Sequence, residues 1–365
     1  MEIERIETYP LLYRLQQPYG DANGYKQYRT CFLIRIVTRS GIDGWGECID
    51  WLPALELGFR ERLIPFLRGK NAIHRITLAS IVKKWHQRAA AAISMALTEI
   101  VAKWANLSVC DLWGGRQHQY IPVYASFQSY TDCTDWQERS LQAVEQAASR
   151  GFAMVKVKIG GKSLVEDKAH IEKLISLLDS KVKIALDANQ SYDLAAARSW
   201  SMHAGAETIT WLEEPLPLSH PAEYKRLREA SAIPLAGGEN LAAPEKFVPF
   251  VMCGGLDILQ PDPLHLDGIE AYRQSLALAR QFGLRCSPHT FDGGLSRLYA
   301  LMAQAVLPNW SKMEGEELEP VEWDAMENPF TRLFPLEVRQ SQVTLPDGIG
   351  IGCEPDWELV KTYRW

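Results

Sequence analysis

Short apolar segments alternate with helical segments between residues 121 and 323, and this alternation is the feature that most constrains the fold. Eight of the segments have the apolar, β-branched composition of buried strands. Regular alternation at this length predicts a parallel (β/α) barrel of the TIM type, and an open doubly wound sheet is the alternative. The predicted strands are residues 121–125, 154–159, 183–187, 208–213, 235–239, 256–260, 285–287 and 320–323.

The residues before this repeat have a different pattern. Alternating segments predict three antiparallel strands, and an alanine-rich stretch at 88–106 predicts a long helix. The polar stretch 17–25 lies between the first two strands, and its length predicts a mobile loop over a site rather than a tight hairpin. The three strands are predicted at residues 3–12, 30–38 and 44–49.

These patterns divide the chain into three parts. We predict an α+β domain at 1–115, the barrel at 116–330, and a strand- and turn-like segment at 331–365 that returns to the N-terminal domain. No low-complexity linker or long charge run interrupts the sequence.

The composition argues against several classes of function. The 365 residues have a net charge of −6, an isoelectric point of about 5.8 and no long basic run, which argues against nucleic-acid binding. No run of about 18 apolar residues is present, and the charged N-terminus lacks the apolar segment of a secretory signal. Seven scattered cysteines without metal-binding spacing predict reduced thiols, so we expect a cytoplasmic protein.

Acidic residues end three consecutive predicted strands. Asp187, Glu213 and Glu239 follow one another at intervals of 26 residues. In a parallel barrel the carboxyl ends of the strands meet at one face, so these carboxylates are expected to lie together. Three close carboxylates need a cation, and an all-oxygen ligand set is typical of Mg²⁺.

Two further groups with acid–base chemistry fall on the same set of strands. Lys156 and Lys158 should project from one face of the second strand, where their mutual repulsion is expected to lower the lysine pKa toward that of a base. Asp262 and His289 follow the sixth and seventh strands. A hydrogen bond from His289 to Asp262 would fix the imidazole tautomer and leave its other nitrogen free for catalysis.

The order of these motifs along the strands resembles the enolase superfamily. Within it, the chain is similar to the mandelate racemase subgroup of the mandelate racemase/muconate lactonizing enzyme family. The resemblance covers essentially the whole chain and makes the N-terminal domain a capping domain. It is carried by KVK at 156–158, DAN at 187–189, EEP at 213–215, GEN at 238–240, QPD at 260–262 and SPH at 287–289.

The resemblance implies a role for each of these residues. Lys158 would abstract the proton α to a carboxylate, His289 with Asp262 would act from the opposite face, and Lys156 would help to neutralise the substrate carboxylate. Only a positioned base together with a cation makes so weak an acid reactive. By the same resemblance, the Mg²⁺ ligands would be Asp187, Glu213 and Glu239.

An acidic residue is also expected on the eighth strand, where the family has a Glu that hydrogen-bonds the substrate carboxylate. Counting from the preceding helix gives Glu314, and counting back from Asn328 gives Glu322. We prefer Glu322, because the sequence around it is strand-like, whereas the residues around Glu314 are typical of an inserted loop.

The residues expected to surround the substrate are polar. Asn189 lies two residues beyond a predicted metal ligand and is expected to reach a substrate hydroxyl, and Trp51 is expected to form a wall of the pocket. This polarity favours a polyhydroxy acid over an aromatic or aliphatic substrate. The other candidates are Tyr19, Asp21, Asn23, Lys26, Arg29, Ser126 and Gln128.

The expected reaction is dehydration of an acid sugar, an aldonate or aldarate, to a 2-keto-3-deoxy acid. The alternatives are a racemase, epimerase or cycloisomerase acting on another carboxylic acid, and a barrel that binds acids without turnover. The opposed bases argue against the last alternative. A homo-oligomer is expected from the resemblance.

Overall fold

The computed structural model describes residues 1–178, 181–203 and 208–365. Its N-terminal part is a three-stranded antiparallel sheet of β1 (Ile3–Asp21), β2 (Gly24–Thr38) and β3 (Asp43–Cys48). Five α-helices follow this sheet, and the predicted alanine-rich helix is the fourth of them. They are α1 (Leu52–Gly58), α2 (Ile64–Leu67), α3 (Arg75–Val82), α4 (Gln87–Trp104) and α5 (Val109–Leu112).

Helix α4 packs closely on the sheet because small residues meet at the contact. Every residue from Ala89 to Ala102 is buried. A Cβ added to Gly46 would lie 1.9 Å from the carbonyl oxygen of Ala92, so only glycine allows this approach. The helix is therefore buried on all sides, unlike an amphipathic surface helix.

The stretch 17–25 is part of a tight hairpin, and the prediction of a long loop between the two strands was wrong. Strands β1 and β2 stay paired as far as Asp21 and Gly24, with two residues between them. The Asp21 carboxylate accepts a hydrogen bond from the backbone N–H of Asn23, and Gly24 has a φ of 126°, which only glycine adopts readily. The paired tip is held on the barrel by backbone hydrogen bonds between Gly20 and Tyr130.

The second part is the predicted barrel of eight parallel strands. Their order in the sheet follows their order in the chain, and the eighth strand pairs with the first. Between the seventh and eighth strands, the backbone N–H of Glu322 donates to the carbonyl of Pro288 at 3.1 Å, which closes the barrel. The strands are β4 (Tyr120–Ser126), β5 (Met154–Lys158), β6 (Lys183–Asp187), β7 (Ile209–Glu213), β8 (Leu235–Gly237), β9 (Ile258–Leu259), β10 (Arg285–Cys286) and β11 (Val321–Asp324).

Helices cover the outside of the barrel, where their apolar faces bury the outward side chains of the strands. This arrangement leaves the carboxyl ends of the strands facing the N-terminal domain. The helices are α6 (Trp136–Ser149), α7 (Leu164–Leu178), α8 (Leu194–Ser201), α9 (Pro221–Arg228), α10 (Pro244–Cys253), α11 (Ile269–Gln281) and α12 (Leu295–Ala305).

The C-terminal segment contacts both parts of the molecule. Its short strands β12 (Val338–Arg339) and β13 (Gln342–Thr344) pair antiparallel to each other, and β13 pairs with the start of β4. The final helix α13 (Trp357–Thr362), which the sequence reading missed, returns the chain to the N-terminal sheet. There the backbone N–H of Trp365 donates to the carbonyl of Pro10.

Candidate active site

Three carboxylates meet at the carboxyl ends of the strands, as their spacing predicts. Asp187 ends β6, Glu213 ends β7, and Glu239 lies two residues after β8. Each offers a carboxylate oxygen, and these oxygens all lie within 4.8 Å of one another. The strand ends converge because the barrel closes, so residues far apart in sequence share one small volume.

The surroundings of Glu213 make this cluster suitable for a cation. Its Oε2 accepts hydrogen bonds from Gln260 Nε2 at 2.6 Å and from Trp211 Nε1 at 3.0 Å. Burial, and next the neighbouring carboxylate of Asp187, raise the pKa of Glu213 to about 7. An all-oxygen cluster whose members repel one another fits a hard divalent cation.

Both lysines of β5 point at the carboxylates. Lys158 Nζ bonds to Asp187, while Lys156 Nζ lies 2.5 Å from Glu213 and 3.0 Å from Glu322. Burial on its own lowers the pKa of Lys158, but the neighbouring carboxylates, with Asp187 first and then Glu239 and Asp21, together outweigh burial and raise the pKa above its usual value. The expected lowering by Lys156 is present only as a smaller opposing effect, so in this arrangement the carboxylates hold both lysines protonated.

His289 lies at the other side of the carboxylate cluster. Its Nδ1 is 2.6 Å from Asp262 Oδ2, which is the pairing expected for these residues, and its Nε2 is 2.8 Å from Glu239 Oε2. Burial lowers the pKa of the imidazole, but Glu322 and Glu239 outweigh burial and raise it well above its usual value. Lys158 and His289 therefore adjoin the first and third members of the carboxylate cluster.

The structure puts Glu322 in the site and Glu314 outside it. Glu322 is fully buried in β11, and its Oε2 accepts a hydrogen bond from the backbone N–H of Thr290. Burial raises its pKa, but His289 and Lys156 outweigh burial and lower it to about 2, so here the carboxylate accepts rather than donates hydrogen bonds. Glu314 is exposed in the loop before β11.

A polar cavity of about 420 Å³ adjoins the carboxylate cluster. Asn189 is 9% exposed, and its Oδ1 has no hydrogen-bond partner among the residues the structure describes. Asn189, Gln190 and Glu214 all have positive φ, so the backbone is strained where β6 and β7 end. The residues around the cavity are Asn23, Asn189, Gln190, Glu214, Pro217, Glu239 and Asn240.

The candidate residues of the hairpin formed by β1 and β2 differ in position: one lies near the carboxylate cluster, and two contact the barrel. Asp21 lies at the hairpin tip and acts electrostatically on Lys158, so it is close to the site. Tyr19 is buried, and its hydroxyl donates to the backbone carbonyl of Glu327 at 3.0 Å. Lys26 is 2.9 Å from Asp292. Tyr19 and Lys26 thus hold the hairpin to the barrel in this structure.

Trp51 does not line the 420 Å³ cavity in this structure. It occupies the N-cap of α1, whose buried face is formed by Leu52 and Leu55, and its side chain is left 72% exposed. Ser126 and Gln128, at the end of the first barrel strand, are both buried. Gln128 Oε1 has no hydrogen-bond partner within the described part of the chain, so it is available to a ligand.

Several residues of the site were missed by sequence reasoning. The second Glu of the EEP motif, Glu214, accepts hydrogen bonds from the backbone N–H of Gly238 and from Gln190 Nε2. His265 stacks on His289, and its Nδ1 lies 2.8 Å from the carbonyl oxygen of Glu239. Glu214 could have been suspected from its motif, whereas the sequence around His265 contains no signal.

No helix among the described residues is long and apolar enough to cross a bilayer. All seven cysteines are free thiols, as their spacing predicts.

Comparison with known proteins identifies the family. Residues 6–114 match the family described as mandelate racemase / muconate lactonizing enzyme, N-terminal domain. Residues 139–359 match the family described as enolase C-terminal domain-like. These two matches together cover most of the capping domain, the barrel from α6 onward and most of the C-terminal segment.

The chain is also similar to individual members over its full length. It is 28% identical to D-galactarolactone cycloisomerase of Agrobacterium fabrum, over 100% of this chain and 99% of the relative. It is 26% identical to arabinonate dehydratase of Saccharolobus solfataricus, over 96% of each protein. The crystal structure of 3,6-anhydro-D-galactonate cycloisomerase from Zobellia galactanivorans superimposes with a TM-score of 0.86 and 25% identity, over 100% of both chains. The chain is thus an enzyme of the mandelate racemase/muconate lactonizing enzyme family, in the enolase superfamily.

Proposed function

We propose that this enzyme abstracts the proton α to the carboxylate of an acid sugar, with Mg²⁺ as its metal, and eliminates the β-hydroxyl to give a 2-keto-3-deoxy acid. The observation that carries the proposal is the placement of Lys158 and His289 on the two sides of the Asp187, Glu213 and Glu239 cluster. The polar cavity beside this cluster suits a hydroxylated chain.

Lys158 and His289 each transfer one proton in the proposed reaction. The carboxylates raise the pKa of Lys158, and a cation held by them would offset their charge and so lower it again. Neutral Lys158 Nζ then accepts the α-proton, and the electrons of the broken C–H bond form an enediolate. The enediolate collapses as the β-carbon–oxygen bond breaks, and the leaving hydroxyl takes a proton from His289 Nε2 and departs as water. The enol that remains gains a proton at the β-carbon and loses its hydroxyl proton, which gives the 2-keto-3-deoxy acid. Asp262 holds Nδ1 of His289, so Nε2 faces the substrate during this transfer.

The three carboxylates would hold Mg²⁺. When bound, the ion supplies positive charge beside the substrate carboxylate, where negative charge develops. Lys156 lies between Glu213 and Glu322 and adds a second positive charge in a buried setting, where electrostatic interactions are strong.

Cycloisomerisation is a second candidate, favoured by the similarity to two cycloisomerases. The proton abstraction is the same, but the β-oxygen belongs to a lactone or anhydro ring. Its expulsion opens the ring without loss of water, so the product has the mass of the substrate.

One experiment separates the candidates. The protein is incubated with Mg²⁺ in D₂O and a library of aldonic and aldaric acids, their lactones and their anhydro forms, and products are followed by mass spectrometry and proton NMR. Loss of water with a 2-keto product supports dehydration, and ring opening at constant mass supports cycloisomerisation. Deuterium incorporation with inversion at the α-carbon and no elimination would contradict both.

Variants test the two roles. We expect Lys158→Ala to abolish both α-proton exchange and turnover, and His289→Asn to abolish product formation, because each removes the group that transfers one proton. Circular dichroism should show an unchanged fold in both variants. Full activity in either variant would refute its assigned role, and turnover that persists after EDTA treatment would refute the role of the metal.

A further inference from the structure

A cavity of about 700 Å³ lies at the amino ends of the barrel strands. Its lining includes Met154, Lys183 and Arg285, which begin β5, β6 and β10, and residues of the loop 310–319 before β11. The carboxylate cluster lies at the opposite, carboxyl ends of the strands. The cavity is therefore separate from the candidate active site, and it shares no lining residue with the cavity beside the carboxylates.

The floor of this cavity is the apolar interior of the barrel. Met154, Trp211 and Ile258 belong to a buried cluster inside the strands, and all three line the cavity. Trp310 and Leu318 of the loop 310–319 line it as well. The volume is in the usual range of small-molecule sites, about 300–1,000 Å³. Since indole rings and methionine sulfur make favourable contacts with aromatic rings, the lining suits a ligand with an aromatic body.

Both acidic residues that line the cavity are already paired with basic groups. Glu316 Oε1 is 2.7 Å from Lys183 Nζ, which also lines the cavity. Glu319 accepts two hydrogen bonds from Arg280, at 2.8 Å and 2.6 Å. An anionic group in the cavity would therefore meet carboxylates whose charge is largely offset.

Arg285 is a half-buried cation of the cavity with no carboxylate within 4 Å among the described residues. Its guanidinium lies over the ring of Trp310, with 4.2 Å between Cζ and the ring centre. This contact orients the guanidinium through its face and uses none of its five N–H donors. Because these donors have no acceptor within the described part of the chain, Arg285 can bind an acidic group in the two-point geometry typical of guanidinium.

We propose that this cavity is a second ligand site, which binds an aromatic monoacid with its acidic group at Arg285 and its ring against the apolar floor. The site does not depend on the proposed reaction, because it lies at the other end of the barrel. One side chain connects the two ends: Trp211 lines the cavity, and its Nε1 donates to Glu213 Oε2 at 3.0 Å. A ligand in the cavity would thus lie against a neighbour of a metal-ligand candidate without entering the substrate site.

Fluorescence titration with anilinonaphthalene sulfonate tests the site, since this dye is an aromatic monoanion whose emission rises in apolar surroundings. Phenylnaphthylamine has the same rings without the sulfonate and is the neutral control. We expect Arg285→Gln to weaken binding of the sulfonate by about 10-fold and binding of the neutral dye by less than about twofold, because only the sulfonate uses the charge. Arg285→Lys should restore part of the lost affinity.

Two further variants check where the dye binds. Arg62→Gln is the matched control, since Arg62 also lies over an indole ring, 4.4 Å from the ring centre of Trp85, but does not line the cavity. Lys158→Ala removes a cation of the candidate active site. Both variants should bind the sulfonate as the wild type does, and near-UV circular dichroism should show a native fold in every variant.

A crystal structure of the wild type with the sulfonate locates the dye without any variant, and we expect it in the cavity with the sulfonate at Arg285. Absence of binding to the folded wild type, or a dye bound elsewhere, would overturn the inference. Equal weakening of both dyes by Arg285→Gln, or weaker sulfonate binding in Arg62→Gln or Lys158→Ala, would overturn it as well. The proposed reaction stands in each of these cases.

Discussion

At the scale of single residues, the site depends on pairs of groups that fix each other. Asp262 accepts one hydrogen bond from the backbone N–H of Leu264 through Oδ1 and holds His289 Nδ1 through Oδ2. The carboxylate therefore has a structural contact and a functional contact at different atoms. An amide in its place can keep the first contact and change the second.

We accordingly expect Asp262→Asn to lower kcat by about 100-fold or more with little loss of stability. The amide can still accept from Leu264 through its oxygen, but its NH₂ group would donate to Nδ1 of His289 and move the imidazole proton to Nε2. Steady-state kinetics and the ¹⁵N shifts of the His289 ring measure the two effects. An unchanged kcat with an altered tautomer would exclude a role for this pairing in turnover.

At the scale of elements, the contact between α4 and β3 contains one buried acid. Glu99 is fully buried on α4, and its Oε2 accepts a hydrogen bond from the backbone N–H of Trp45 in β3 at 2.7 Å. Lys103, one turn later, lies 2.9 Å from Oε1. Burial raises the pKa of Glu99 to about 7 despite these partners.

This raised pKa predicts a pH dependence of stability. Because the native state keeps a proton that the unfolded state releases near pH 4.5, the contribution of Glu99 is greatest below that pH and is lost as the pH rises to about 7. Relative to Glu99→Gln, the wild type should lose about 3 kcal/mol of unfolding free energy between about pH 4 and pH 8. Urea titrations of both proteins across this range measure the difference. If the difference in unfolding free energy between the two proteins does not change with pH, the pKa of Glu99 is the same in the folded and unfolded states.

At the scale of the whole molecule, the capping domain and the barrel are joined by a buried ion cluster. Arg29 on β2 pairs with Asp324 at the end of β11 and with Asp292, and its guanidinium lies 4.5 Å from the ring of Phe291. Asp324 lies two residues after Glu322, so this ion cluster reaches the edge of the candidate active site. The sequence predicts Arg29 as a substrate contact, whereas in this structure its guanidinium is bound in these ion pairs.

Removing one partner of such a cluster leaves an uncompensated buried charge. We expect Arg29→Met to destabilise the protein by about 3–5 kcal/mol, and Asp324→Asn in the same chain to recover part of this loss. Arg14→Met is the control, since Arg14 is exposed on β1 and its loss should cost about 0.5 kcal/mol or less. Denaturant unfolding of the wild type, the two single variants and the double variant measures these free energies. If Arg29→Met lowers the free energy of unfolding no more than Arg14→Met does, the ion cluster does not stabilise the protein.

Much of the fold could be predicted because the segments with strand or helix patterns do form strands and helices in the barrel. The third barrel strand was predicted with its observed bounds, Lys183–Asp187. The fourth to seventh barrel strands are shorter than predicted, as for Ile258–Leu259, and the eighth is shifted by one residue. The hairpin at 17–25 was misjudged because its pairing depends on contacts with Tyr130 of the barrel, which local composition does not reveal. The final helix was missed because it is short and its stability comes from packing.

The sequence by itself determined the order of strands and helices, the placement of acids, lysines and histidine at the strand ends, and hence the family. Side-chain period and the geometry of a closed barrel suffice for this, since they bring the ends of parallel strands to one face. The tertiary structure alone decided the charges and contacts of these groups. Burial and distance decide whether the pKa of Lys158 lies above its usual value and whether Arg29 is bound in ion pairs, and both depend on residues far apart in the chain.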